Sequence, residues 1–494
     1  MPRIEAQNET GASKHASARR VLFVTSEMTG LLKAGGLGEI SAYLPHMLRQ
    51  QGLDVRILIP GYRQILRKFP DLAVVAELPA AHEVPACQIA RLDCKDGLVL
   101  YILRCDALFD RDGSPYADPQ GADWADNDVR FARLGLAAAD IVSGVDALGW
   151  TPDLVHVNDW PSALAPAYLA WRGHPAPSIL TVHNLAYQGL FDRARCGALG
   201  IPDAAFRTDG VEFHGRVSFL KAGLFYASHL TTVSPTYAGE ILTPELGCGL
   251  DGLLRDRAGR GQLTGILNGI DDSYDPQSDP HLDHHFDSSD FSGKHSNAAD
   301  IRDTFGLADS AGPLFALVSR LVHQKGVDLV VATAGRIVAN GGQVVVTGQG
   351  EPALERAMTQ LARRHPGQVG VRIGFEEKLA RRMYAGSDFL LMPSRLEPCG
   401  LSQMYAQRFG SLPIAHRTGG LADTIQDNVT GFLFDRHSAS ALGRSIDRAM
   451  RAFCRGNALA RMKNAAMLRP AGWAQAARGY QSVYRAAVQG GAAG

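Results

Sequence analysis

The sequence predicts an α/β protein of two parallel-sheet domains facing each other across a cleft. Three observations lead there. Short apolar, β-branched runs alternate with longer helix-like segments almost from end to end. The runs are apolar on both faces, which suits strands buried between two helical layers. A stretch rich in Asp, Ser, His and Pro, over 271–300, interrupts the rhythm and divides the runs into two sets.

The first set falls at 21–25, 55–60, 154–158, 179–183, 230–233 and 263–267. The second falls at 314–319, 344–347, 371–373, 389–393 and 412–415. Regular strand–helix alternation implies parallel sheets joined by right-handed crossovers. Beyond them, Leu459, Met462 and Ala466 lie at helical spacing, Pro470 and Gly472 break the pattern, and a second helix starts near Trp473. The expected organisation is a disordered extension over 1–19, a first domain over 20–268 and a connection over 269–300. A second domain over 301–458 follows, then packing helices and a tail over 459–494.

Composition narrows the function. With 494 residues and 46% apolar content, the chain can bury large cores and is too apolar for disorder. Fifty basic residues balance fifty acidic ones, so nothing draws the whole molecule to nucleic acid or anionic lipid. The seven cysteines are scattered without a C-x-x-C pair, which argues against zinc or iron–sulfur sites and fits a reduced, cytoplasmic setting. No run reaches the ~18 apolar residues of a membrane span. Residues 1–19 hold no apolar core, so no secretory signal is expected. The cluster His281, Asp283, His284, His285 and Asp287 is not expected to hold a metal. Its adjacent histidines point apart on any regular element.

Ligands of open α/β folds bind at the carboxyl ends of strands, so the residues that follow each run are the candidates for chemistry. Two such turns echo each other: Lys33-Ala34-Gly35-Gly36-Leu37-Gly38-Glu39 and Arg417-Thr418-Gly419-Gly420-Leu421-Ala422-Asp423. Each reads base, small residue, Gly-Gly-Leu, small residue, acid, and leads into a helical pattern. Paired glycines let N–H groups approach a ligand, and a helix start adds the positive end of its dipole. Either the two turns face an anion from opposite domains, or each is only a tight strand-to-helix turn.

Arg320 and Lys325, just past the run at 314–319, could clamp a diphosphate, Arg through its fork and Lys as a mobile charge. The alternative is a solvated pair. The turn Pro393-Ser394-Arg395-Leu396-Glu397-Pro398-Cys399-Gly400-Leu401 places Glu397 to bind sugar hydroxyls or support developing positive charge, or merely to cap a helix. In the first domain, His156-Val157-Asn158-Asp159-Trp160 and Thr181-Val182-His183-Asn184 end two strands alike, and both are expected to project polar side chains into the cleft as a sugar site. Gly348-Gln349-Gly350-Glu351-Pro352-Ala353 imitates a dinucleotide fingerprint, but no acid lies near the twentieth residue beyond it, where a ribose partner belongs.

Together these motifs resemble the glycogen/starch synthase family, the bacterial-type glucosyltransferases of two facing Rossmann-like domains known as the GT-B architecture. The matches are K-A-G-G-L-G-E (33–39), P-D-L-V-H-V-N-D-W (152–160), T-V-H-N-L-A-Y-Q-G (181–189) and T-T-V-S-P-T-Y (231–237). They continue with L-N-G-I-D (267–271), S-R-L-V-H-Q-K-G (319–326), P-S-R-L-E-P-C-G-L (393–401) and R-T-G-G-L-A-D-T (417–424). They stand in family order over roughly residues 20–480.

The resemblance implies transfer of glucose from ADP-glucose to the 4-hydroxyl at the non-reducing end of an α-1,4-glucan, with retention. No metal or other cofactor is implied. By position it implies that Lys33, Gly35 and Gly36 contact the nucleotide-sugar, and that Arg320 and Lys325 neutralise the diphosphate. Glu397 and the amides of Cys399, Gly400 and Leu401 would hold the glucosyl unit, with Thr418 and Gly419 around the distal phosphate and Asn268 near the nucleotide. His183 would touch the sugar, and Asp159, Asn184 and Glu39 would lie on the acceptor side. The chain departs from the family pattern at Ala34 (usually Thr), Glu39 (usually Asp), Pro161 (often His) and Tyr274 (often Trp). The rival readings are another retaining glycosyltransferase of the same architecture, using UDP-glucose or a small acceptor, and a catalytically silent glucan-binding scaffold.

Overall fold

The computed structural model describes residues 20–491 apart from residue 175; the extension expected over 1–19 lies outside the described residues. Among the described residues, nine strands form the first sheet. From one edge they are Leu263–Gly265, His229–Thr232, Ser178–Val182, Leu154–Asn158, Arg20–Val24, Asp54–Pro60, Val99–Arg104, Cys87–Asp93 and Ala73–Leu78. The first seven run parallel. The second sheet is parallel throughout, in the order Val369–Ile373, Gln343–Gly348, Leu314–Val318, Phe389–Met392, Leu412–His416 and Phe432–Phe434.

The expectation of wholly parallel sheets fails at one edge. Cys87–Asp93 pairs antiparallel with both of its neighbours. The outermost strand, Ala73–Leu78, carries only a short apolar run, Ala73 to Ala76, and leaves Ala73, Val74 and Glu77 exposed at the sheet edge. A small antiparallel sheet of Leu190–Asp192, Arg216–Ser218 and Glu212–Phe213 lies in the first domain as well.

The central strands behave as their composition demands. Val21, Leu22, Phe23 and Val24 are fully buried, as are Val344, Val345 and Val346. The Gly348-x-Gly350 turn has a packing cause. A Cβ on Gly348 would lie 1.9 Å from the Ser319 carbonyl oxygen, and one on Gly350 would lie 2.5 Å from that of Leu321. These glycines let two backbones meet at the sheet edge, where Gly350 bridges to Leu321.

The chain ends by crossing back. Helix Trp473–Gly491 packs on helix Gly36–Gln50 and the Ser178–Val182 strand of the first domain, burying Trp473, Tyr480 and Tyr484. That helix corrects one expectation. His156 does not open into the cleft: it is fully buried, with Nδ1 2.7 Å from the Tyr484 hydroxyl and Nε2 2.6 Å from Thr181 Oγ1. No helix among the described residues is long and apolar enough to cross a membrane.

Candidate active site

The site is built where the carboxyl ends of the two sheets meet. In the first sheet, four adjacent strands deliver it. The loop from Thr25 to Glu39 follows Arg20–Val24, Asp159 follows Leu154–Asn158, His183 and Asn184 follow Ser178–Val182, and Ser234 follows His229–Thr232. In the second sheet three adjacent strands do so. Arg320 and Lys325 follow Leu314–Val318, residues 393–401 follow Phe389–Met392, and Arg417, Thr418 and Gly419 follow Leu412–His416. Side chains from the two domains touch directly. Glu39 accepts hydrogen bonds from Lys33 of its own loop and from the Tyr405 hydroxyl of the second domain.

On the second domain, Lys325 donates to Glu397 Oε2 at 2.5 Å and the Ser394 hydroxyl donates to the same oxygen at 2.9 Å. Glu397 is buried, and its Oε1 carries no hydrogen bond among the described residues. The backbone N–H groups of Cys399, Gly400 and Leu401 likewise have no acceptor among the described residues. Arg320 is exposed and forms no ion pair among the described residues. The region therefore presents a bare guanidinium, an ammonium shared with one carboxylate, and three open amides.

On the first domain, Asp159 takes a left-handed backbone at φ 52°, a conformation that costs a non-glycine residue stability and persists where the surroundings impose it. Its Oδ1 accepts from the His183 N–H at 2.7 Å and, at 3.5 Å, from that of Asn184. Burial pushes its carboxyl up to about 7, with those two N–H bonds opposing. His183 is neutral, because burial lowers its pKa to about 3. Its tautomer follows from its neighbours. Asn158 donates its amide to the Val24 carbonyl, so Asn158 Oδ1 must accept from His183 Nε2 at 2.9 Å. That leaves His183 Nδ1 a buried acceptor without a partner among the described residues, suited to a hydroxyl. Asn184 Oδ1 accepts from the Ala186 N–H.

The two echoing glycine turns prove dissimilar. A Cβ on Gly36 would meet nothing within 4 Å, and one on Gly35 would be 3.7 Å from Glu27, so open space lies over this turn. In the other, a Cβ on Gly419 would lie 2.1 Å from the Glu397 carbonyl oxygen and one on Gly420 2.0 Å from that of Cys399. Gly419 also has φ 42°. These glycines weld the turn to the 397–399 backbone. Arg417 is tied outward to Asp435, unlike Lys33.

Both turns already hold a carboxylate. Glu27 Oε2 accepts from the N–H groups of Ala34 at 2.7 Å and Gly35 at 2.6 Å, while its Oε1 accepts from the Tyr116 hydroxyl. Glu240 Oε1, reaching over from the first domain, accepts from the Thr418 hydroxyl at 2.9 Å and the Gly419 N–H at 3.0 Å. Sequence reasoning missed both acids. Glu27 sits two residues past the first strand run, and Glu240 three residues past the T-T-V-S-P-T-Y motif. Tyr405 was missed too: it stacks on Tyr274, with ring centroids 3.7 Å apart, and Arg381 covers the other ring at 3.7 Å. Tyr274, a departure from the family pattern, thus joins the seam through its ring.

Asn268 lies deeper than the other candidates. It is buried within hydrogen-bond reach of Cys399, whose thiol burial raises to about 12, and its Oδ1 has no partner among the described residues. It borders a cavity of about 330 Å³ between the domains, together with Met404, Gln407 and Arg469. Pro161 is buried within the short helix Asp159–Ser162. Among the described residues, no group of three or more His, Cys, Asp or Glu side chains is placed to hold a metal ion, and the seven cysteines are free.

Known proteins align with this arrangement along its length. The starch synthase catalytic domain family matches residues 20–256, and glycosyl transferases group 1 match residues 303–468. A protein named glycogen synthase from Pseudomonas syringae pv. syringae (strain B728a) is 55% identical over 467 residues, which is 94% of this chain and 96% of that protein. One of the same name from Xanthomonas oryzae pv. oryzae (strain MAFF 311018) is 56% identical over 469 residues, 95% of this chain and 92% of that protein. Among solved structures, the catalytic domain of Starch Synthase IV from Arabidopsis thaliana bound to ADP and acarbose superposes with a TM-score of 0.84. It is 29% identical, and the match covers 96% of this chain and 100% of that one. A sucrose-phosphate synthase from Thermosynechococcus elongatus shares the fold at TM-score 0.59 and 17% identity, over 96% of this chain and 100% of that one.

Proposed function

The chain belongs to the glycogen/starch synthase family of glycosyltransferases, and from that premise we propose that it extends an α-1,4-glucan. Glucose passes from ADP-glucose to the 4-hydroxyl at the glucan's non-reducing end, with α configuration retained. One observation carries this reading from the geometry: among the described residues, the unpaired Arg320 guanidinium, the Lys325 ammonium and three free N–H donors collect at the carboxyl edge of the second sheet, around the buried Glu397 carboxylate. A diphosphate leaving group needs that arrangement, since its charge grows as the C1–O bond breaks.

In this reading Arg320 and Lys325 meet the diphosphate, with Thr418 and Gly419 at its distal phosphate. The amides of Cys399, Gly400 and Leu401 bind sugar hydroxyls, and Glu397 holds Lys325 in place while its free Oε1 faces the glucosyl unit. Lys33 and the open Gly35-Gly36 turn close on the nucleotide-sugar from the first domain, and Asn268 lies towards the nucleotide. His183 offers its bare Nδ1 to a sugar hydroxyl. Asp159, Asn184 and Glu39 line the acceptor side. The positive charges are pre-placed by the protein, so the reaction proceeds without a metal or other cofactor. The relatives' printed name supports glycogen as acceptor. The ADP in the plant structure supports an adenine nucleotide donor. The free cysteines support a cytoplasmic setting.

Incubation of the purified protein with glycogen and radiolabelled ADP-glucose, without added metal, tests the reading. UDP-glucose and Glu397→Ala run in parallel. Label entering polymer from ADP-glucose alone, and lost in the variant, is expected. Label only from UDP-glucose corrects the donor; no label from either, with the protein folded, overturns the activity.

A further inference from the structure

The T-T-V-S-P-T-Y segment takes no role in the reaction just described, yet it joins the two domains. The Ser234 hydroxyl donates to the Pro398 carbonyl at 2.6 Å. Thr236 donates its N–H and its hydroxyl to the two carboxylate oxygens of Asp423, at 2.9 and 2.7 Å. Glu240 ends the same short helix, Pro235–Glu240, and takes the Thr418 hydroxyl and Gly419 N–H. Its second oxygen, Oε2, is buried without a partner among the described residues. Ser234 and Thr236 are fully matched neutral donors. Glu240 is different, since it brings a negative charge with one unsatisfied oxygen to a corner where the described residues offer it two donors.

We propose that Glu240 is a resident anion at the donor's phosphate corner: it holds Thr418 and Gly419 while the donor is absent, and the distal phosphate of the nucleotide displaces it. The inference rests on reading Thr418 and Gly419 as the donors to that phosphate. One hydroxyl and one N–H cannot serve a carboxylate and a phosphate together, and two anions at hydrogen-bond distance from the same groups repel. Displacement removes one link of the seam and leaves those of Ser234 and Thr236. The state of this corner therefore follows donor occupancy. Glu240 is a positioning residue for the loop, acting through Thr418, and it opposes donor binding by its charge.

Calorimetric titration with ADP and with AMP separates the possibilities, on the full chain and on Glu240→Gln, Glu240→Ala and Thr418→Val. Gln keeps an acceptor in the seam and removes the charge. We expect ADP to bind Glu240→Gln about three- to tenfold more tightly than the parent, the scale of one ordinary hydrogen bond. Glu240→Ala moves in the same direction, and its thermal melt reports whether the seam survives. AMP, which has no distal phosphate, is expected to bind the parent and Glu240→Gln alike. ADP is expected to bind Thr418→Val more weakly. Unchanged or weaker ADP binding to Glu240→Gln, with Thr418→Val weakened, overturns the displacement while leaving the phosphate reading intact. An equal gain for AMP overturns the link to the distal phosphate. Unchanged ADP affinity in Thr418→Val overturns the phosphate reading itself, and the displacement with it.

Discussion

Lys325 donates to Glu397 Oε2 at 2.5 Å, so the cation at the end of one strand and the buried carboxylate at the end of its neighbour form a single ion pair. Removing either partner leaves the other uncompensated, and removing both does not add the two losses. Kinetics of Lys325→Ala, Glu397→Ala and the double variant are expected to give a coupling of about 1–3 kcal/mol in transition-state stabilisation. Strict additivity would mean that the two groups act separately.

Arg320 differs from Lys325 in having no acidic partner among the described residues. Its whole charge is free for the leaving group. Arg320→Ala is expected to lower kcat by about 10²–10³, the usual worth of one pre-placed donor of about 3–4 kcal/mol, with the thermal melt unchanged. A loss below about threefold would remove Arg320 from the reaction.

Asp159 supplies a pH signature. Its carboxyl stands at about 7 in the fold against an ordinary 3.8. Between those values the folded chain binds more protons than the unfolded one, so this group makes stability fall as pH rises through that window. Asp159→Asn should flatten that part of the curve. Melting temperatures taken in steps from about pH 4 to about pH 8 check it. Parallel curves for the two proteins would show that Asp159 stays ionised throughout.

Tyr484 is 328 residues from His156 in the chain and touches its Nδ1 at 2.7 Å. Tyr484→Phe leaves that nitrogen buried without a partner, which should cost about 1–3 kcal/mol of stability. The contact lies behind the sheet rather than in the cleft, so donor and acceptor KM are expected to hold. A kinetic change without a stability change would return His156 to the site.

The two histidines show where sequence reasoning stops. His156 and His183 both belong to polar strand-end motifs, so a local reading treats them alike. Strand phase and a helix from the far end of the chain separate them. One is covered by Tyr484, and the other keeps a bare Nδ1 at the cleft. The glycine turns differ for the same reason. Their residue order is shared, but the space over Gly36 and the backbone over Gly420 depend on what packs above them. Glu240 lies 178 residues from Thr418, and nothing near either residue announces their contact.

By itself, the sequence determined the α/β alternation, the division into two sheets, and the loops that carry Lys33, Asp159, His183, Arg320, Lys325, Glu397 and Thr418. Those features are local: apolar runs, turn glycines and the polar residues that end strands act within a few positions of the chain. Only the tertiary structure decided which N–H groups stay open, which carboxylates fill the others, and which histidine is buried. Hydrogen-bond partners and excluded volume come from segments distant in sequence, and each donor is satisfied by whatever the fold brings within about 3 Å.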